Sequence, residues 1–340
     1  MNAQANRVLF EMNNINKYFP VMRGAFKKVV GHVKAVDGIS LFVNRGETLG
    51  IVGESGCGKT TLGKVMLRLL KPTNGEMNLT LPDGSVKNLM RLSKRESFET
   101  RRRIQMVFQD PYASLNPMKN IHSAFDEPMR IHAIGGASKA ARMDHIARML
   151  ERVNLMPDHM FRFPHEFSGG QRQRICIAFA LVMNPEIIVC DEPVSALDVS
   201  IQAQILNLLR SIQQELGLTY VFIAHDLSVV QYMSDRIAVM YMGKIVELAD
   251  ADRLYTRQLH PYTQALLSAI PIPVVGAVKT RISLSGDVPS PINPPGGCSF
   301  HPRCRYCIDI CKTEEPLLIP QTDASGHLCA CHIVNKGIKP

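Results

Sequence analysis

The sequence predicts an α/β fold, a parallel sheet with helices on its faces, and three stretches carry that prediction. Ile187-Ile188-Val189-Cys190 is a short continuous apolar run of the kind that forms a strand buried on both faces. Ile201, Ile205, Leu208, Leu209, Ile212 and Leu216 then line one face of a helix, and Gly217 closes it. Thr219–Ala224, β-branched and aromatic, supplies the next strand. Strand, helix and strand in that order form a crossover, and crossovers join parallel strands.

The remaining elements follow in chain order. Residues from about Val8 to Leu49 read as short strands and turns, with Ala35-Val36-Asp37-Gly38 leading into Ile39–Val43. Glu47–Val52 is another buried strand, and the helical pattern Leu62, Val65, Met66, Leu69, Leu70 comes soon after it. Pro82-Asp83-Gly84 marks a turn inside a further β-like stretch, and Ile104–Phe108 is strand-like. From Pro111 to about Met183 the pattern is helical. Ser138 is placed to cap a helix with apolar Ile146, Met149, Leu150 and Val153, which Pro157 and Pro164 interrupt. Six prolines between Pro271 and Gly297 mark a linker into a small terminal element. There is no internal repeat and no low-complexity tract.

With 340 residues the chain suits one large or two modest domains, and 46% hydrophobic with 20% charged residues excludes wholesale disorder. No apolar stretch approaches the ~18 residues of a membrane-spanning helix. Met1–Arg7 lacks the apolar segment of a signal peptide. The expectation is a soluble, cytosolic chain that meets a membrane only through partners. A net charge of +9 permits an anionic partner, and Arg101-Arg102-Arg103 is the densest basic run. That run abuts a strand and has no nucleic-acid motif beside it, so it reads as a solvated helix end or an interface near lipid headgroups, and no nucleic-acid partner is expected. Of nine cysteines, Cys176 and Cys190 sit in apolar surroundings and read as small buried hydrophobes. Six fall between Cys298 and Cys331, which in a cytosolic chain points to metal rather than disulfides.

The chemistry concentrates in three motifs. Gly53-Glu54-Ser55-Gly56-Cys57-Gly58-Lys59-Thr60-Thr61 is a G-x-x-x-x-G-K-T loop between a strand and a helix. In such a loop glycines let successive N–H groups face phosphate oxygens, Lys59 supplies a positive charge for the β- and γ-phosphates, and the Thr60 hydroxyl binds Mg²⁺. The chain therefore binds ATP or GTP. Phe167-Ser168-Gly169-Gly170-Gln171 makes a second anion site at a helix start, from backbone N–H groups and the Ser168 hydroxyl. The apolar run ending in Asp191-Glu192-Pro193 places Asp191 beside Mg²⁺ and Glu192 one residue further out, able to polarise a water.

Phosphate loop, Ser-Gly-Gly-Gln, apolar-Asp-Glu-Pro, then Ser195-Ala196-Leu197-Asp198 and Ile223-Ala224-His225-Asp226, in this order and spacing, resemble the ABC-type ATPases. The resemblance implies a RecA-like core with an antiparallel β subdomain and a helical subdomain. It implies roles by position. Gln109 corresponds to the Q-loop glutamine that senses Mg²⁺ and the attacking water. Ser168, Gly170 and Gln171 correspond to the signature that covers the γ-phosphate on a partner subunit, Asp198 to the D-loop aspartate, and His225 to the switch histidine. For the aromatic that stacks on adenine, Phe19 is the choice and Tyr18 the alternative. Lys59, Mg²⁺ and backbone amides would neutralise charge in phosphoryl transfer to water, Glu192 would take the water proton, and His225 would stabilise the γ-phosphate. Two such chains would sandwich two ATPs, closing on binding and reopening on hydrolysis.

Three further stretches narrow the resemblance to the ATPase subunits of bacterial dipeptide/oligopeptide importers, the dipeptide type above all. They are Gln109–Pro117 (QDPYASLNP), His260–Leu267 (HPYTQALL) and Leu284–Pro291 (LSGDVPSP). The likeness runs from about residue 8 to 332. It implies an ATPase domain over 8–255, with the helical subdomain at about 110–183, and an importer-type extension over 256–340. It departs from the family at Phe167, where leucine is usual, and at Phe179, where arginine is common. The implied partners are a second ATPase subunit, two membrane-spanning permeases and a peptide-binding protein, with this chain peripheral on the cytoplasmic face. Nickel, glutathione or other small-solute importers are the alternatives within transport. A soluble repair or translation ATPase is the alternative outside it, but the long heptad insertion or second cassette that these need is missing. In the family the terminal cysteines hold an iron–sulfur cluster, and Cys298, Cys304, Cys311 and Cys331 match those positions, the usual ligation of [4Fe–4S]. Cys304, Cys307, Cys329 and Cys331 form a rival set for tetrahedral zinc.

Overall fold

Two long strands, Val8–Arg23 and Lys28–Asn44, stand where short strands and turns were expected, and burial alternates along the second from Ile39 to Val43. Gly38 does not end the second strand. It takes φ 73° inside it, and its N–H donates to Asn16 Oδ1 at 2.8 Å, so the chain passes through an irregularity rather than a turn. The computed structural model describes residues 8–24, 28–270, 282–284, 286–321 and 326–338. The Met1–Arg7 segment lies outside the described residues, as do 271–281 and Ser285 of the expected linker. Among the described residues no helix is long and apolar enough to cross a membrane. The chain divides into two compact units. One gathers Val43–Glu47 and Leu79–Phe222, the other Phe10–Phe42, Thr48–Asn78 and the chain from Ile223.

In the second unit the strand Val8–Arg23 lies between Lys28–Asn44 and Asn74–Thr80. Thr48–Val52, buried at every position, pairs in parallel with Arg236–Tyr241, Leu49 opposite Arg236 and Val52 opposite Val239. Arg236–Tyr241 continues antiparallel into Lys244–Asp250. The sheet does not stop there. Leu328–Cys329 pairs with Lys244–Asp250, Glu247 opposite Cys329, and Ile319–Pro320 adds an outer strand. The C-terminal segment is thus an extension of a sheet, fastened underneath by a buried carboxylate. Glu247 accepts from the N–H groups of Leu259 (2.8 Å) and His260 (2.9 Å) and bonds His327 Nε2 (2.7 Å). The loop-borne helix Lys59–Met66 buries Leu62, Val65 and Met66 as expected, but it ends there. Arg68 turns left-handed (φ 58°), and Leu69, assigned to the apolar face from sequence, is exposed.

In the first unit Ile104–Val107 pairs in parallel with Ile187–Asp191, Ile104 opposite Ile187, and Thr219–Ile223 is the next strand over. The crossover between the last two is the helix Val199–Leu216, which buries Ile205, Leu208, Leu209 and Ile212 and closes at Gly217 with φ 63°. The helical stretch resolves into Ile121–Ile131, Lys139–Arg152 and Gly169–Leu181. Ser138 caps the second of these by accepting from Ala141 N–H at 3.1 Å, and Ile146, Met149, Leu150 and Val153 are buried. Pro157 and Pro164 each open a 3-10 turn, because proline suits the first position of a helical turn and not its interior. The basic run is the end of a helix, Lys94–Arg101, that Ser93 and Glu96 cap reciprocally. Arg103 pairs with Glu186, which also binds Arg45 at 3.0 Å.

Candidate functional site

The Thr48–Val52 strand empties into the phosphate loop, and glycine is obligatory at two of its turns. Gly53 has φ 154° and Gly58 φ 107°. A Cβ on the first would lie 2.1 Å from Met240 O, and on the second 2.0 Å from Ala35 O. Gly58 is the N-cap of the Lys59–Met66 helix and provides no side-chain cap. The helix start, with its partial positive charge, therefore remains available to an anion. Lys59 is buried at 5% exposure, and its ammonium donates to Gly53 O (2.8 Å) and Glu54 O (3.0 Å), which fixes it along the inside of the loop. Ser55 and Gly56 are exposed at the crest, Cys57 is buried against Lys59, and Thr60 and Thr61 follow half-buried in the first helical turn. Burial raises the Cys57 thiol above its ordinary pKa, the nearby Lys59 charge acting the other way. This donor set and cradle fit a polyphosphate with its Mg²⁺.

Elsewhere in the same unit, Tyr18 and Phe19 stand side by side near the end of the long first strand. The Tyr18 hydroxyl is committed to Asn16 (3.0 Å) and to Asp37, whereas Phe19 is half-buried with the Lys17 ammonium 4.9 Å from its ring centre. His225 is exposed. It follows the Thr219–Ile223 strand and precedes the helix Leu227–Met233, which Asp226 caps by accepting from Ser228 N–H at 2.8 Å.

In the first unit Asp191 is buried at the end of its strand (2% exposed), and Glu192 follows with φ 48°, a left-handed backbone that a glutamate seldom adopts. The turn aims the Glu192 carboxylate at Gln109, whose Nε2 donates to Glu192 Oε2 at 2.8 Å. Two residues assigned from distant stretches of sequence are thus brought together. Ser168 caps the Gly169–Leu181 helix. Its Oγ accepts from Gln171 N–H at 3.3 Å, and Gln171 Oε1 accepts from Ser168 N–H at 3.0 Å. A Cβ at Gly170 would come within 2.7 Å of Ile201 Cγ2, so the motif is packed on the helix that begins after Asp198. Phe179 meets Phe125 edge-on at 5.3 Å, an apolar contact in place of the arginine expected there.

The six terminal cysteines are all free thiols. Burial pushes Cys298 up to about 12, with Cys311, Cys331 and Cys304 adding to the shift. Burial likewise pushes Cys304 up to about 11, with Cys331, Cys311 and Cys307 adding. Cys331 is raised by burial first and by Cys311 as well. Every pair among Cys298, Cys304, Cys311 and Cys331 is therefore an electrostatic neighbour. Cys307 adds to the shift of Cys304 and Cys311 to that of Cys307, while Cys331 and Cys298 add to that of Cys329. Among the described residues no group of three or more His, Cys, Asp or Glu side chains is arranged to hold a metal ion.

Sequence reasoning missed the contacts that tie the loop to the C-terminal segment. Glu54 N–H donates to Tyr262 Oη at 2.8 Å, and the Glu54 carboxylate pairs with Arg303. The HPYT motif that carries Tyr262 was visible in the sequence, but nothing local in it points to a partner two hundred residues upstream.

Comparison with known proteins places these features. Residues 36–195 match the family model described as ABC transporter. Residues 246–311 match the model described as oligopeptide/dipeptide transporter, C-terminal region. The oligopeptide transport ATP-binding protein AppF of Bacillus subtilis (strain 168) is 51% identical over 335 residues, covering 98% of this chain and 99% of AppF. Among solved structures, the dimeric post-hydrolysis state of the ATP-binding cassette MJ0796 bound to ADP and Pi superposes with a TM-score of 0.61 at 28% identity. It covers 72% of this chain and 99% of that one. CbiO1 of Clostridium perfringens, part of the ABC transporter complex cbiONQ, gives 0.60 at 25% identity over 74% of this chain and 92% of its own.

Proposed function

The chain belongs to the ABC transporter family, among its oligopeptide transport ATP-binding proteins, and on that premise we propose that it binds and hydrolyses ATP to power peptide import through a membrane transporter. One observation carries the proposal. The buried Lys59 ammonium is held by Gly53 and Glu54 carbonyls along an uncapped helix start, in a loop too tight for any residue but glycine at positions 53 and 58. Such a cradle suits a polyphosphate and little else.

Each residue then has a task. The loop Gly53, Ser55, Gly56, Cys57, Gly58, Lys59, Thr60 and Thr61 holds the phosphates, and Phe19 stacks on the base. Thr60, Asp191 and Gln109 hold Mg²⁺, which neutralises phosphate charge when bound. Glu192 accepts the proton of the attacking water, oriented by the hydrogen bond from Gln109. Support for that role comes from the left-handed backbone at Glu192, since strain of this kind gathers where chemistry requires a fixed carboxylate. His225 contacts the γ-phosphate. Ser168, Gly170, Gln171 and Asp198 serve a second subunit, completing its site across a dimer interface. We place that subunit as a different ATPase, with two permeases and a peptide-binding protein completing the assembly and this chain peripheral on the cytoplasmic face.

For the terminal cysteines we propose a [4Fe–4S] cluster held by Cys298, Cys304, Cys311 and Cys331. The support is the donor set itself. Each pair of these four thiols is coupled electrostatically, so they gather in one region of the segment. Iron and sulfide analysis after anaerobic purification tests this. About four of each per chain is the expected result, and stoichiometric zinc without sulfide would reject it. The ATPase proposal is tested by phosphate release from the full chain with MgATP, in which Lys59→Ala must abolish turnover. Turnover that survives that change would reject it.

A further inference from the structure

We propose that Arg303, carried by the cysteine-bearing segment, is a positioning residue for the phosphate loop, neutralising Glu54 and holding it so that the loop accepts a polyanion. The inference rests on the ATP reading above and deepens it.

Glu54 is the second residue of the phosphate loop, and a carboxylate there opposes the binding of a tri-anionic or tetra-anionic nucleotide. Arg303 answers it with a two-pronged contact, Nη1 to Oε2 at 2.7 Å and Nη2 to Oε1 at 3.1 Å. The pair is well shielded from water: the Arg303 side chain is 7% exposed and that of Glu54 27%. Glu54 is gripped at its backbone too. Its N–H donates to Tyr262 Oη at 2.8 Å, and its carbonyl accepts from the Lys59 ammonium at 3.0 Å. One loop residue therefore connects the phosphate-binding lysine to two residues of the C-terminal segment.

Arg303 is in turn fixed by its own surroundings. It ends the short turn His301–Arg303 between Cys298 and Cys304, where His301 N–H donates to Cys298 O (2.9 Å) and Cys304 N–H to His301 O (3.2 Å). Phe300, directly before that turn, is buried against Tyr241 (5.3 Å between ring centres) and Tyr262 (5.5 Å). Arg303 is therefore held on a turn bonded to Cys298 and lying next to Cys304, and it supplies the positive charge that faces Glu54 in the phosphate loop. A segment needed only to cover the sheet would have no reason to reach into the phosphate loop with a buried guanidinium.

The test is ATP turnover of the full chain, with KM and kcat resolved and thermal unfolding recorded in parallel. Arg303→Ala should raise the KM for ATP about tenfold or more, as an uncompensated carboxylate near the phosphates would, with a smaller effect on kcat. Arg303→Lys should fall between that variant and wild type, keeping the charge but losing the fork. The decisive chain is the double variant Glu54→Gln with Arg303→Ala. It lacks the same link but also the repelling charge, so its KM should return most of the way to wild type. A KM unchanged in Arg303→Ala, or a double variant no better than Arg303→Ala alone, would overturn the inference, whatever happens to the melting temperature. Wild-type chain that fails to bind ATP would instead overturn the functional proposal on which it rests.

Discussion

Glu192 and Gln109 lie 83 positions apart in sequence and within a hydrogen bond of each other in the fold. Each was legible from its own motif, because an apolar strand that ends in a polar or acidic residue is a local pattern. Their contact was not legible, since only the sheet order brings the two strand ends together. If Glu192 takes the water proton, Glu192→Gln should keep ATP binding and lower kcat by roughly 10²–10⁴-fold. A nucleotide-binding titration beside a phosphate-release assay checks this, and a fall in affinity of similar size would contradict it. His260 gives a second prediction at this scale. Burial lowers it to about 4 from 6.5, against the opposing pull of Glu247. The unfolded chain takes up a proton near pH 6.5 that the folded chain refuses until near pH 4. Its contribution is therefore fully present above that window and is lost as pH falls through it. Melting curves at pH 7.5 and about 5 should show the loss, and His260→Asn should flatten it; an equal loss in the variant would count against the assignment.

Among the elements, the strands and helices with strong periodicity were legible, and their ends were not. The helix after the phosphate loop stops at Met66 because Arg68 turns left-handed and the N–H groups of Leu69 and Leu70 fold back onto Lys64 O, although the apolar pattern runs on to Leu70. The length of the second strand was hidden by Gly38, which reads as a turn and serves as an irregularity inside the strand. Least legible was the strand Leu328–Cys329, too short to show a period, which the sheet recruits through Lys244–Asp250. The fastening below it is Glu247, fully buried and bonded to Leu259, His260 and His327. Removing a buried carboxylate strands three donors, so Glu247→Ala should cost about 3–5 kcal/mol and release the C-terminal segment first. Hydrogen exchange read out over 326–338 checks the order of release; uniform loss across the chain would argue for a different anchor. Cys311→Ser should loosen the same segment and, through Arg303, weaken nucleotide binding without abolishing it, which an ATP titration beside the hydrogen-exchange measurement would register.

For the whole molecule, the identity of the machine was legible almost entirely from ordered motifs, because a phosphate loop, a Ser-Gly-Gly-Gln cap and an acid pair are local solutions to the chemistry of one polyphosphate. What it transports was legible only as a family likeness, since the motifs with readable chemistry are all built for phosphate and not for a peptide. On the proposed reading, Ser168 and Gly170 serve a second subunit. A chain carrying Ser168→Arg should therefore bind ATP normally yet fail to stimulate a partner ATPase, which a mixed-subunit turnover assay distinguishes from a defect in folding. The central claim is that hydrolysis by this chain drives peptide import. The most direct measurement is uptake of a labelled dipeptide into vesicles carrying the complete transporter, with ATP on the side of this chain, comparing wild type with Glu192→Gln. ATP-dependent accumulation is expected with the wild-type chain and none with the variant. Accumulation that persists with Glu192→Gln, or ATP consumed by the wild type without any peptide crossing, would contradict it.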